Sequence, residues 1–171
     1  MDMPLYPPAQ SACFTGHRKL SEAAMRSAVE AMTATIPHLV SKGIVHYYAG
    51  GAIGFDLAAA VTVLNLKSTI PQLSLTLALP CHNHMEQWRR IDRELFGRVM
   101  ERADRVVYVN DSYFRGCMQA RNRALVDMSS VLICYKNRNS GGTAYTVNYA
   151  VKEGTKVINL AEDYCQESLN I

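Results

Sequence analysis

Six short apolar runs separated by stretches of helical patterning predict an α/β protein. The expected form is a three-layer, open, mostly parallel sheet with helices on both faces. Three observations carry this reading. The runs at 11–15, 44–49, 73–79, 105–109, 131–135 and 155–160 have strand length and strand composition. The segments between them are mostly long enough for a crossover helix, which a parallel pair requires. Glycine-bearing turns follow the second and fifth runs, where a strand would hand over to a helix.

In chain order, residues 1–10 hold three prolines and read as an irregular lead-in. The run 11–15 ends at Gly16, and His17, Arg18 and Lys19 follow. Ser21 is a good N-cap, and Met25, Val29, Met32 and Ile36 give a helical stripe whose end Pro37 should perturb. Gly43 closes that segment. The strand at 44–49 leads into Gly50-Gly51-Ala52-Ile53-Gly54-Phe55-Asp56 and a helical run of small residues over 57–64. Leucine alternates with Ser74, Thr76 and Ala78 before Pro80 ends the third strand. Polar residues at 81–88 then begin at the sheet's C-terminal edge, and a charged helix over 89–103 carries Ile91, Leu95, Phe96 and Val99. After the strand at 105–109 a helix is expected over 114–128, then the strand at 131–135. Gly141-Gly142-Thr143 opens a helix over 144–152, Gly154 breaks it, and 155–160 is the last strand. Residues 161–171 read as a tail or short helix, leaving one domain over 11–160.

Composition narrows the function. Of 171 residues 49% are hydrophobic, enough for a real core, while 19% are charged, below the usual quarter. The low charge suggests a surface covered by a partner subunit, hence a homo-oligomer. A net charge of +3 is too weak for a dedicated DNA-binding surface, yet it suits a pocket for a nucleotide phosphate. The five cysteines are odd in number and lack C-x-x-C spacing, which points to a reduced, cytoplasmic protein. The N-terminal residues lack the basic and apolar regions of a secretory signal, and no run of about 18 apolar residues exists, so no membrane partner is expected.

Right-handed crossovers put every strand-to-helix loop at one sheet edge. The loops at 15–19, 50–56, 80–88, 110–117 and 136–143 should therefore converge. Gly50, Gly51 and Gly54 would let a ligand approach the backbone, with the following helix N-terminus favouring an anion. Thr143 can offer its hydroxyl to a phosphate or simply cap its helix. Arg18, Lys19 and Arg121 can pair with anionic oxygens. Asp56 can bond a ribose hydroxyl, orient a basic group, or serve as a charge favourable to the helix start. Cys81, His82 and His84 lack a fourth ligand at metal-site spacing, so no metal is expected. The G-x-S-x-G nucleophile motif and the full GxxxxGK[ST] phosphate loop are absent.

Taken together, TGHR after the first strand, GGAIGFD after the second, Pro80 followed by Trp88, ADRVVYV, the Arg-Asn-Arg helix and the SGGT turn resemble the YpsA-like proteins. These sit in a Rossmann-like superfamily, SLOG, with the DNA-processing protein DprA and the LOG-type phosphoribohydrolases. The resemblance spans about residues 11–160. It implies a nucleotide or nucleotide-derivative pocket over Gly16, Gly50, Gly51, Gly54 and the turn Gly141, Gly142 and Thr143. Thr15, His17, Arg18, Asp56, Pro80 and Arg121, in the converging loops and the Arg-Asn-Arg helix, complete the candidate ligand site. LOG enzymes cleave a base from ribose 5′-monophosphate with a helical arginine, matched by Arg121, and a glutamate three residues after a glycine-turn threonine. That position is Thr146 here. The expectation is therefore binding or sensing of a nucleotide or nucleotide-derived ligand, with no cofactor required. LOG-like hydrolysis with Arg121 catalytic is the alternative, and single-stranded DNA binding ranks below both because acids interleave with Arg89, Arg90, Arg93, Arg98 and Arg102.

Overall fold

Alternation of buried residues along each strand sorts the core into two halves, because successive side chains on a strand point to opposite faces. Phe14, Tyr47, Leu77 and Ile133 belong to one apolar cluster, while their neighbours Cys13, Tyr48, Ala78 and Cys134 belong to the other. The computed structural model describes residues 6–161. Among them the strands β1 (Ser11–Gly16), β2 (His46–Ala49), β3 (Ser74–Leu79), β4 (Arg105–Tyr108), β5 (Val131–Tyr135) and β6 (Lys156–Asn159) form one parallel sheet. The order is β4-β3-β2-β1-β5-β6. Helices α1 (Glu22–Ser41), α2 (Phe55–Leu66) and α3 (Arg90–Arg102) cover the first face, and α4 (Cys117–Asp127) and α5 (Gly141–Lys152) cover the second. This is the three-layer Rossmann-like α/β fold that the apolar runs predict. A single 3₁₀ turn at Pro8–Gln10 precedes β1. Residues 1–5 of the expected lead-in and nearly all of the expected C-terminal tail lie outside the described residues.

Besides α5, which takes Gly141, Gly142 and Thr143 into its first turn instead of starting at 144, two helix boundaries depart from the sequence expectation. Pro37 lies inside α1, which continues to Ser41. The buried Thr35, Ile36 and Leu39 hold the last turns on the sheet, so packing outweighs the backbone bond that proline removes. At the other, α4 starts at Cys117 rather than 114, because Gly116 adopts a left-handed conformation (φ 101°) just before it. The remaining helices begin and end within a few residues of their apolar patterns.

The topology locates the site. From β1 the chain steps outward through β2, β3 and β4, then returns through α4 to place β5 on the other side of β1. The loops after β1 and β5 therefore leave the sheet on opposite sides, which opens a crevice at the strands' C-terminal ends.

Candidate functional site

The crevice is a cleft of about 560 Å³ at that switch point. Its floor comes from β1 and the following loop, with Thr15, Gly16 and His17. Ala52 and Asp56 enter from the second loop, and Met118, Arg121 and Asn122 from α4. Arg138 and the turn Ser140 to Thr143 close it from the β5 side. Arg18, Lys19, Arg121 and Arg138 bring four positive charges, against the single carboxylate of Asp56 among the described lining residues. This is an anion-binding balance.

Arg121 is the least ordinary of these groups. Its side chain is buried, with the residue 4% exposed. Its Nε donates to Asn122 Oδ1 at 2.7 Å, but its Nη1 has no hydrogen-bond partner among the described residues. Asp56, also buried, faces it across Gly50, and a β-carbon at residue 50 would collide with the guanidinium and lie 2.8 Å from the Asp56 carboxylate. Burial pushes the Asp56 carboxyl above its usual range; Arg121, Arg18 and the backbone N–H groups of Ala52 and Gly50 oppose that rise. Burial likewise lowers Arg121, although the facing Asp56 counteracts this and guanidinium stays protonated at neutral pH.

Asn122 links the guanidinium to the second glycine turn. Its Nδ2 donates to Thr146 Oγ1 at 2.8 Å, and the Thr146 hydroxyl donates to the Gly142 carbonyl at 2.8 Å. Thr146, at the position where LOG enzymes carry glutamate, is thus a buried hydroxyl with its proton engaged. His17 makes the corresponding link from β1. Its Nε2 accepts from the Asn137 N–H at 3.5 Å, which leaves the proton on Nδ1 to be donated to Thr143 Oγ1 at 3.4 Å. Burial and the nearby Arg138 lower the His17 pKa, which favours this neutral form. Thr143 then keeps its own proton free to donate into the cleft.

The first glycine stretch works mainly by close packing. The Phe55 N–H at the start of α2 donates to the His17 carbonyl at 3.2 Å, so that donor is turned to the first loop. Gly54 (φ 87°) lets the Arg18 backbone pass against it, where a β-carbon would collide. Gly16 leaves room for Phe55, and Gly51 for Leu79 and Phe96. Gly141 and Gly142, by contrast, have open space above them at the start of α5. Pro80 and Gly51 line a narrow gap beside the main cleft, under Arg18, His84 and Arg121. The structure therefore brings Thr15, Gly16, His17, Arg18, Asp56, Arg121, Gly141, Gly142 and Thr143 to one cleft, with Gly50, Gly51, Gly54 and Pro80 beside or beneath it.

Lys19 lies in the cleft beside Arg18, as the sequence suggests; Asn122, Arg138 and Ser140 complete the lining, and only their nearness to the motif residues could have pointed to them. Cys81, His82 and His84 engage different partners. Cys81 is buried near Cys117, His82 stacks on Tyr108 at 3.7 Å, and His84 donates from Nδ1 to the Cys81 carbonyl at 2.9 Å. On α3, Arg89 pairs with Asp92 at 2.7 Å and Arg90 with Glu94 at 3.0 Å, both as exposed ion pairs within the helix.

A parallel sheet with a four-cation cleft at its switch point defines a Rossmann-like α/β protein. The YspA SLOG family matches residues 15–162, and the chain belongs to that family. It is 29% identical over 117 residues to the UPF0398 protein BH1768 of Halalkalibacterium halodurans, covering 67% of this chain and 62% of that protein. It is 25% identical over 134 residues to the uncharacterised SPbeta prophage-derived protein YoqJ of Bacillus subtilis, covering 71% and 78%. The chain spans about six-tenths of the length of BH1768 and of the UPF0398 protein BBR47_29830 of Brevibacillus brevis. Among solved structures, DprA of Streptococcus pneumoniae superposes with a TM-score of 0.66 at 16% identity, covering 96% of this chain and 56% of that one. DprA of Helicobacter pylori, described for its mode of single-stranded DNA binding, gives 0.63 at 15%, covering 95% and 74%. Both likenesses are of fold.

Proposed function

We propose that the cleft binds the phosphate of a nucleotide or nucleotide-derived ligand, and that the protein acts as a binding or sensing module. The carrying observation is Arg121: a buried guanidinium with an unpartnered Nη1, set in a cleft where cations outnumber carboxylates four to one. A buried donor without a partner is costly, and a phosphate oxygen supplies the charge-assisted bond it lacks. The open turn at Gly141 and Gly142 and the free Thr143 proton support the same ligand. Thermal shift and calorimetry with ribose 5-phosphate and nucleoside monophosphates test this. Binding that weakens by at least about tenfold in Arg18→Ala, whose side chain is exposed, and is lost in Arg121→Ala supports the reading. No binding to the wild type, or binding indifferent to both changes, sinks it.

Hydrolysis is the alternative, with Arg121 stabilising charge at the leaving base. The engaged hydroxyl of Thr146 weighs against it, since activation of water needs a free basic group. Release of free base and ribose 5-phosphate, abolished by Arg121→Ala, would establish the enzyme. The fold shared with DprA supports a further reading, single-stranded DNA along the cleft. Oligonucleotide binding that falls steeply with salt would favour it.

Two further expectations belong to this reading. The exposed Ile91 and Leu95 on α3 support self-association, which light scattering would detect. The free thiols of Cys13, Cys81 and Cys117 support a reducing, cytoplasmic setting.

A further inference from the structure

A second cleft of about 870 Å³ adjoins the first and shares Arg18, Lys19 and Met118 with it. Its chemistry is different. Trp88 and Tyr113 contribute aromatic surface, and Asn83 and Gln87 contribute exposed amides, each with both donors and an acceptor. Trp88 is held in place by near-perpendicular contacts with Phe96 at 5.6 Å and His84 at 5.5 Å. Tyr113 is 62% exposed, an unusual state for a large ring that lines a cleft. His84, whose Nδ1 donates to the Cys81 carbonyl at 2.9 Å, also lines this cleft. Arg89, Glu86 and Asp92 line it too, Arg89 paired with Asp92, so the larger excess of cations belongs to the first cleft, and rings with hydrogen-bonding edges lie on the far side of Arg18 and Lys19.

We infer that the second cleft is a nucleobase subsite, taking the ring of a ligand whose phosphate lies in the first. The inference rests on the phosphate reading of the first cleft and adds what the ligand must carry: a flat heterocycle joined through a sugar to that phosphate. Such a ring stacks on Trp88 or Tyr113 and offers its edge to Asn83 and Gln87. A sugar phosphate without a base fills only the first cleft. The ring can come from a free mononucleotide or from one unit of a single strand, and the two share this recognition chemistry.

Trp88 is the sole tryptophan, so all tryptophan emission comes from a ring that lines this cleft. The wild-type protein is titrated with ribose 5-phosphate, with each of the common nucleoside monophosphates, and with an oligothymidylate strand, following tryptophan fluorescence and calorimetric affinity together. The expected result is quenching by base-bearing ligands, binding of the best of them at least about tenfold tighter than that of ribose 5-phosphate, and no quenching by ribose 5-phosphate. Tyr113→Ala should collapse that affinity ratio toward one. Quenching by a monophosphate assigns a free nucleotide, and quenching by the strand alone assigns single-stranded DNA. Equal affinities with unchanged emission at saturation overturn the inference and leave the phosphate cleft standing. Failure of all three ligand types, ribose 5-phosphate included, is failure of the phosphate reading, and the subsite falls with it.

Discussion

Asp56 and Arg121 face one another across Gly50, each buried, each beside the backbone of a residue with no side chain. Their charges compensate in a place where neither could be left alone. Removing one partner of such a pair leaves an uncompensated buried charge and costs about 3–5 kcal/mol. Asp56→Asn and Arg121→Met should each destabilise by that order in urea unfolding. The double variant should cost clearly less than the sum of the two. Simple additivity of the two single changes would show that the charges do not interact.

Gly50→Ala tests the same arrangement without touching either charge. The new methyl group falls where the guanidinium now lies, so Arg121 must move. Overpacking of this kind costs about 1–3 kcal/mol. Affinity for ribose 5-phosphate should fall with it, because the displaced guanidinium no longer points into the cleft. Wild-type affinity and stability in this variant would mean that Arg121 has room to spare.

The path from Arg121 through Asn122 and Thr146 to the Gly142 carbonyl predicts a coupled pair of variants. Asn122→Ala strands the Arg121 Nε–H and should cost about 1–3 kcal/mol. Thr146→Val removes the acceptor for Asn122 and should weaken ligand binding in the same direction. Because both act on one chain of bonds, combining them should add little to either alone. Calorimetric affinities of the three variants check this.

Acid should destabilise the fold in a defined window. His17, His46 and His84 are all lowered from 6.5 by burial. A histidine with a depressed folded value takes up its proton more readily when unfolded. Its contribution is therefore complete above about 6.5 and is lost as the pH falls from there through the folded values. Melting temperature should decline on titration below about pH 6.5, and His17→Gln should make the decline shallower. Asp56 acts in the opposite sense, since its raised carboxyl relieves a burial cost as it protonates. A melting temperature flat across the histidine window would refute the prediction.

The strands are readable in the sequence because parallel strands covered on both faces become apolar runs, and glycine or proline punctuates them. Ile133 between Leu132 and Cys134 needs partners on both sides, which only a central strand offers. The end of α1 is not readable, because Pro37 argues locally for a stop while Ile36 and Leu39 gain from continuing. At the site, the motif residues are legible wherever a strand hands over to a helix. The roles of the glycines are not. Gly50 looks like a ligand loop until α4 delivers Arg121 onto it from 71 positions along the chain. Asn122 and Thr146 lie 24 residues apart on different helices, and spacing alone carries no sign that they bond.

Placing β1 between β2 and β5 has a consequence for assembly in time. Ser11 and Ser130 are joined although 119 residues separate them, and β1 gains its second neighbour only when β5 arrives. During synthesis, a nascent chain that has released β1 through β4 already holds one side of its sheet. It has neither the Gly141 turn nor the His17–Thr143 link. Long-range pairing of this kind forms late, because closing the loop costs entropy before any contact repays it. The cationic cleft is therefore a property of the finished chain, and ribose 5-phosphate added during refolding should speed none of the early steps and hold only the last one.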